Sequence, residues 1–263
     1  MNIIVLVKQV PDTHNVGPDA MTAEGTVNRG ALPAIFNPDD LNALEMALRL
    51  KDEQGGKVTL LTMGLPKAEE VLRDGVFRGA DDAILLTDRA LGGADTLATS
   101  YALSQAIRKI GEYDLILCGR QAIDGDTAQV GPQVAEKLGL PQVTYVEEVI
   151  RHEGGSLTLR RHIDGGKETV ECPMPCVLTV NGTAAPCRFR NVKKVLANKN
   201  RSFTQWGAAD IDADPSQIGK AGSPTNVKAV KNIVFKAKET KILSGSDEDI
   251  RGLINELKES NTI

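Results

Sequence analysis

Asn2-Ile-Ile-Val-Leu-Val-Lys-Gln-Val-Pro-Asp12 is the stretch whose reading decides the fold class. Ile3 to Val7 is an unbroken apolar run with no polar residue on either alternating face, and Pro11 stops it a few residues later. Such a run reads as a strand buried on both faces, the mark of a parallel sheet covered by helices. The first strand is therefore expected at the centre of the sheet.

The chain beyond repeats this unit. Asn37-Pro38-Asp39-Asp40 precedes Leu41, Leu44, Ala47 and Leu48 at helical spacing. Asn37 is expected as the N-cap, with Pro38 at the first helical position and Gly55-Gly56 ending the helix after Gln54. Further strands are expected at 57–63, 83–87 and 114–118, and helices at about 67–78, 95–110 and 127–138. Alternation with short links specifies a parallel sheet with helices on both faces. The fold class is thus α/β, a doubly wound, Rossmann-like sheet of the adenine-nucleotide-binding kind.

After Pro141 the pattern alternates, and 143–151 and 156–163 flank His152-Glu153-Gly154-Gly155 as an added antiparallel hairpin. A strand at 175–180 closes an α/β domain set at residues 1–183. Residues 184–263 are rich in Lys, Asn, Ser and Gly, punctuated by Val192, Val195, Leu196, Phe203, Trp206, Ile211 and Ile218. This segment cannot build its own core and is expected as an extended C-terminal arm; it could wrap over its own domain, but the sharper reading docks it on a partner subunit.

The balance of 31 basic against 35 acidic residues gives −4, so no overall field draws the chain to nucleic acid or an anionic membrane. With 5 Phe, 3 Tyr and 1 Trp there are few rings for a base-stacking groove. No apolar run reaches the roughly 18–20 residues of a bilayer span, and residues 2–8 are too short and wrongly flanked for a signal peptide, so a cytoplasmic location is expected. Cys118, Cys172, Cys176 and Cys187 are too few and too unevenly placed for a disulfide framework and read as reduced thiols.

Ligands of an open parallel sheet sit beyond the carboxyl ends of its strands. One of those ends opens Cys118-Gly-Arg-Gln-Ala-Ile-Asp-Gly-Asp-Thr-Ala-Gln-Val-Gly131, a glycine-bearing loop running into a helix N-terminus. Backbone N–H groups and the helix dipole there favour an anion such as a diphosphate, and Gly125 and Gly131 permit close approach. Asp124 and Asp126 would repel phosphate, so one is expected to cap the helix and the other to face ribose or backbone. A capped helix after a tight turn, with no ligand, satisfies the spacing equally well.

Other chemistries find no support. The chain lacks a Walker loop and a Gly-x-Gly-x-x-Gly. Leu91-Gly-Gly-Ala-Asp-Thr96 resembles the pyrophosphatase loop of ATP-dependent ligases, but Leu91 stands in place of its serine; the milder reading is a glycine turn into a helix with Asp95, Thr96 and Thr99 at the ligand edge. Cys172-Pro-Met-Pro-Cys176 has the wrong spacing for a zinc knuckle. His14, His152 and His162 are scattered, and no nucleophile, base and orienting acid assemble. Any chemistry is expected to belong to a bound cofactor.

At Val7-Lys-Gln-Val-Pro-Asp12, Asn37-Pro38, Val71-Leu-Arg-Asp74, Arg78-Gly-Ala-Asp81, Gly92-Gly-Ala-Asp-Thr-Leu-Ala-Thr99 and Gly119 through Pro132, the chain closely resembles the beta subunit of electron-transfer flavoproteins. The resemblance covers most of residues 1–220 and includes Ile218-Gly-Lys-Ala-Gly-Ser-Pro224. It implies a heterodimer with an alpha subunit and an adenine nucleotide beneath the strand ends. In the ordinary branch that nucleotide is structural AMP, with electrons shuttled from dehydrogenases. In the electron-bifurcating branch it is FAD, which takes a hydride from NADH and divides the pair between ferredoxin or flavodoxin and the other flavin. The segments Val10-Pro-Asp-Thr13, Gly92 through Thr96 and Asp124 through Pro132 resemble the bifurcating branch more.

Carried over by position, the resemblance implies that Val7, Lys8 and Asp12 approach the flavin side, while Asn37, Asp40, Thr62 and Met63 line the nucleotide. Asp95, Thr96 and Thr99 would meet the isoalloxazine edge. Cys118, Gly119, Gln121, Ala122, Asp124, Gly125, Asp126, Thr127, Ala128, Gln129, Val130 and Gly131 would hold adenosine and diphosphate. The family's aliphatic anchor for acyl-CoA dehydrogenase partners corresponds to Val192 within Arg188-Phe-Arg-Asn-Val-Lys-Lys-Val195, which makes Val192, Lys193, Lys194 and Val195 the expected partner-binding residues. Valine is a smaller anchor than the usual Leu or Ile, by a methylene worth about 0.8 kcal/mol of burial.

Overall fold

A computed structural model describes residues 1–12, 33–225 and 242–263; Thr13, His14 and residues 226–241 of the arm lie outside the described residues. The chain runs β1 (Asn2–Leu6), β2 (Gln9–Pro11), β3 (Ala34–Phe36), α1 (Pro38–Gln54), β4 (Lys57–Met63), α2 (Glu69–Arg78), β5 (Asp82–Leu86), α3 (Thr96–Ile110), β6 (Leu115–Gly119) and α4 (Val130–Leu138). There follow β7 (Gln142–Glu153), β8 (Ser156–Ile163), β9 (Gly166–Pro173), β10 (Cys176–Val180), α5 (Val192–Asn198), β11 (Thr204–Trp206) and α6 (Asp247–Glu259).

Among the described residues one sheet has nine strands in the order β11-β5-β4-β1-β6-β10-β7-β8-β9, and β2 pairs β3 in a separate antiparallel ribbon. β1 lies between β4 and β6, parallel to both, as its two-sided apolar run requires. Ile3, Val5 and Val7 face α1 and α2, and Ile4 and Leu6 face α3 and α4, so each side of the strand feeds a different core cluster. Each such side chain, fully buried, contributes about 1.5–3 kcal/mol. From β1 the chain winds outward through β4 and β5, then crosses back to β6 on the other side. The strand order therefore reverses between β1 and β6, and their carboxyl ends part there.

The hairpin turns on Gly154 and Gly155 with φ of +60° and +78°, the left-handed pair that a two-residue type I′ turn demands. It is larger than the sequence reading held, since β9 adds a third antiparallel strand whose side chains alternate and bury only Cys172. Cys172 and Cys176 are free, buried thiols, and no metal-binding cluster occurs among the described residues. No helix among the described residues is long and apolar enough to cross a membrane.

The chain divides into two compact units, and the first, 1–227, includes the segment after β10. β11 extends the sheet beside β5, and Phe203, Ile211 and Ile218 are buried in the two core clusters. Those punctuating residues cover their own domain. Val192 and Leu196 stay exposed. The second unit, Lys228–Ile263, contains α6, whose Ser246 cap accepts the Asp249 amide at 3.2 Å. Ile250, Leu253 and Ile254 form an exposed apolar stripe on that helix.

Candidate functional site

Where the carboxyl ends of β1 and β6 part, a cavity of about 420 Å³ opens, at the position that the reversal of strand order assigns to a ligand. Asp40, in the first turn of α1, spans the gap: one carboxylate oxygen accepts the Lys8 amide at 2.9 Å and the other the Gly119 amide at 2.9 Å. Burial pushes the Asp40 carboxyl up to about 7, against hydrogen bonds from Asn37, Gly119 and Lys8 that favour its charged form. Burial, and secondarily the nearby Asp40, push the Cys118 thiol up as well, so it stays protonated and is no nucleophile.

The loop from Arg120 to Gln129 forms one wall. Asn37 fastens it; it stands as the N-cap of α1 with Pro38 following, as the sequence suggested, but its side chain makes no capping bond to the helix. Its Nδ2 instead donates to Gln121 O at 2.8 Å, and its Oδ1 accepts the Ile123 amide at 3.2 Å. Lys8 Nζ reaches across to both Asp124 oxygens at 2.7 and 2.9 Å, and Gln121 Nε2 donates to Asp126 Oδ1 at 2.7 Å. Asp126 and Ala128 take left-handed φ of +49° and +52°. Ala128 is followed by Gln129 in the right-handed region, so successive amides form a concave nest.

That loop corrects two expectations. Helix α4 begins at Val130, not at residue 127, and neither Asp124 nor Asp126 caps it. Its N-cap is Gln129, whose side chain makes no capping hydrogen bond. Both acids are already engaged, one by Lys8 and one by Gln121, and the first turn of α4 is left open beside the cavity. Gly131 allows this close seating, since a Cβ there would meet Cys118 Sγ and Thr179 Cγ2 at 2.7 Å.

The opposite wall is the turn into α3. Thr96 Oγ1 donates to Gln129 Oε1 at 3.0 Å and accepts from Gln133 Nε2 at 3.4 Å, so the N-termini of α3 and α4 are stitched across the cavity mouth. Leu6, Leu61, Leu91 and Leu103 floor the space between. The arrangement thus offers an apolar slot, a nest of backbone amides and an uncapped helix N-terminus, a combination suited to a flat ring carrying a phosphate or diphosphate.

Of the residues read from sequence, Val7, Lys8, Asp40, Met63, Asp95, Thr96, Thr99, Cys118, Gly119, Gln121, Ala122 and Gly125 through Gly131 line this one cavity. Asp12, Asn37, Thr62 and Asp124 do not. Asp12 is buried behind β2, with its amide on Pro33 O, and Thr62 is buried on the α1 and α2 side of β4. Asn37 and Asp124 brace the loop from outside. The leucine floor and Arg120 were missed. The leucines carry only a core signal, and Arg120 sits inside the quoted loop, its Nε 3.5 Å from Asp39 and its guanidinium over the Tyr145 ring.

The expected partner surface lies elsewhere. Arg188 is locked by Glu45 and Asp52 at 2.9 and 2.8 Å, and Arg78 donates to its carbonyl at 2.7 Å. Asn191 caps α5 by accepting the Lys193 and Lys194 amides. This frame leaves Phe189 94%, Val192 71% and Leu196 64% exposed. Val195 is half-buried, and Lys194 turns back to Gly79 O.

Comparison with known proteins agrees with this architecture. A family model described as electron transfer flavoprotein domain matches residues 24–211. The chain is 46% identical over 263 residues, the whole of both chains, to the electron transfer flavoprotein subunit beta of Clostridium acetobutylicum. It is 43% identical over 265 residues, again all of both chains, to the caffeyl-CoA reductase-Etf complex subunit CarD of Acetobacterium woodii. To the acryloyl-CoA reductase electron transfer subunit gamma of Anaerotignum propionicum it is 42% identical over 272 residues, with both chains fully covered. The chain belongs to the electron transfer flavoprotein family, in the lineage of its beta subunits.

Proposed function

We propose that this chain is the beta subunit of a heterodimeric electron transfer flavoprotein, that its cavity holds an adenine nucleotide, and that with its alpha subunit it carries electrons to or from acyl-CoA-linked dehydrogenases. The observation that carries the nucleotide is the uncapped first turn of α4 behind the 126–129 nest, at the point where strand order reverses. Amides left unpaired at such a place are stabilised by an anion. The acyl-CoA link is supported by the reductase relatives, whose names place them in CoA-ester-reducing systems. AMP there is structural, whereas FAD would supply two-electron chemistry with NADH.

A second reading, FAD with bifurcation to ferredoxin or flavodoxin, is supported by the lining of the cavity. Besides the amide nest, its lining includes Leu91, Gly93 and Leu103 together with Thr96 and Thr99, an apolar wall with a polar edge that suits a second flat ring. In either reading this chain's residues bind and orient: the loop and α4 hold phosphate, Lys8 offsets its charge, and the leucines exclude water from the ring.

Purified alpha–beta complex decides between the two. One FAD and one AMP per heterodimer is the expected stoichiometry for the first reading, and two FAD with NADH-dependent bleaching for the second. A complex with no nucleotide beyond one flavin overturns both.

A further inference from the structure

Asp95 lines the cavity, yet its polar atoms are taken by protein. One carboxylate oxygen accepts the Leu97 and Ala98 amides at 3.0 and 3.1 Å and so caps α3. The other accepts the Thr225 amide at 3.0 Å. The Asp95 N–H donates to Ser223 Oγ at 2.8 Å, and that hydroxyl donates onward to Gly219 O at 2.7 Å. Burial works against the charge on Asp95, but hydrogen bonds from Ala98, Thr225 and Leu97 hold its carboxyl below the usual carboxylate range. It is a fixed anion with its acceptors engaged.

Residues 218–225 cross directly over the 90–95 turn. Ile218 is buried in the α3 and α4 core, and Ser223 is buried beneath the crossing. Gly219 has φ of +53°, and a Cβ there would lie 2.0 Å from Ala90 O, so backbone rests on backbone. One side of the 91–96 turn faces the cavity, and the other carries this strap.

We propose that Asp95 is a positioning residue that buckles the 218–225 strap to the cavity wall, so that releasing the strap loosens the wall and speeds escape of the bound nucleotide. The exchange part rests on the nucleotide reading above. Asp95 thereby acts on the ligand through α3 and the strap, without being a ligand of it.

The test uses the purified alpha–beta complex with Asp95→Asn and Ser223→Ala. Asparagine keeps an oxygen for the α3 cap but turns an amide toward the Thr225 N–H; alanine removes the hydroxyl relay. Two readouts are taken: amide hydrogen exchange of peptides covering 90–99 and 216–225, and the rate at which the carried adenine nucleotide, identified by mass, passes into a filtrate. Both variants are expected to accelerate exchange in the two peptides together and to speed nucleotide release, about tenfold for Asp95→Asn, which loses a charge-assisted hydrogen bond, and about fivefold for Ser223→Ala, which loses neutral ones. Ser223→Thr, which keeps the hydroxyl, is expected to restore the wild-type rates. Faster exchange in 216–225 alone, with release unchanged, overturns the proposal, as does unchanged exchange in both. A wild-type complex that carries no adenine nucleotide refutes the nucleotide reading instead, and joint acceleration of the two peptides then still establishes the buckle.

Discussion

Asp40 Oδ1 accepts the Gly119 amide at 2.9 Å, and a side chain at Gly119 would run into that same oxygen: its Cβ would lie 2.5 Å from Asp40 Oδ1 and 2.6 Å from the Asp39 backbone carbon. The carboxyl end of β6 is thus sealed against the first turn of α1 by a contact that only a residue without a side chain allows.

Gly119→Ala is therefore expected to destabilise the protein by about 1–3 kcal/mol, the range for overpacking a filled site. Urea unfolding measures it. A loss under about 0.5 kcal/mol would show that α1 and β6 can separate at no cost, contrary to this account.

Asp40 also sets a pH dependence. Its native carboxyl titrates at about 7 against an ordinary 3.8, chiefly through burial, so between those values the folded state holds a proton that the unfolded chain has lost. Stability contributed by Asp40 is complete below pH 4 and falls as pH rises through 7. Relative to Asp40→Asn, which does not titrate, wild-type stability should drop by on the order of 2 kcal/mol from pH 5 to pH 8. Denaturant midpoints at the two pH values give the difference; parallel behaviour of the two proteins contradicts a buried, titrating Asp40.

The parts legible from sequence are those with one dominant signal. β1 follows from five consecutive apolar residues, and α3 from a glycine turn leading into a helical pattern. β9 was not legible, because Gly-Lys-Glu-Thr-Val-Glu-Cys-Pro173 buries almost nothing and pairs only because β8 offers a free edge. β11 is three residues that become a strand only beside β5. α6 could have been found: Ser246 precedes acids at 247–249, and Ile250, Leu253, Ile254 and Leu257 recur at helical spacing. At the site, the loop and helix N-terminus were plain in the glycines and polar residues. The roles of Asn37, Asp95 and Asp124 were not, since each is decided by a partner more than 80 residues distant along the chain.

The Lys8–Asp124 pair is half-exposed at the lysine and contributes little to stability, about 0.2–1 kcal/mol. Its consequence is electrostatic: Lys8, which lines the cavity, offsets the negative charge that Asp124 brings to the loop beside it. Lys8→Met is expected to weaken retention of the adenine nucleotide about tenfold with little change in melting temperature, whereas Asp124→Asn, which removes the repelling charge, should not weaken it. Dialysis of the alpha–beta complex against buffer of low and moderate salt measures both. Equal losses in the two variants would mean that the pair only holds the loop.

Phe189, Val192 and Leu196 stand exposed on a segment pinned by Glu45 to Arg188 and by Asn191 to α5, which makes a rigid apolar prow rather than a loose loop. If this prow seats a dehydrogenase, Val192→Asp should raise the Michaelis constant of the complex for reduction by its acyl-CoA-linked partner at least tenfold, because a carboxylate would be desolvated on docking. Val192→Leu should lower it about fourfold, the equivalent of one more buried methylene at about 0.8 kcal/mol. Nucleotide and flavin content should stay at wild-type levels in both, since the cavity at the strand ends shares no lining residue with this surface. A Michaelis constant that moves in neither variant would place the dehydrogenase on another face of the molecule.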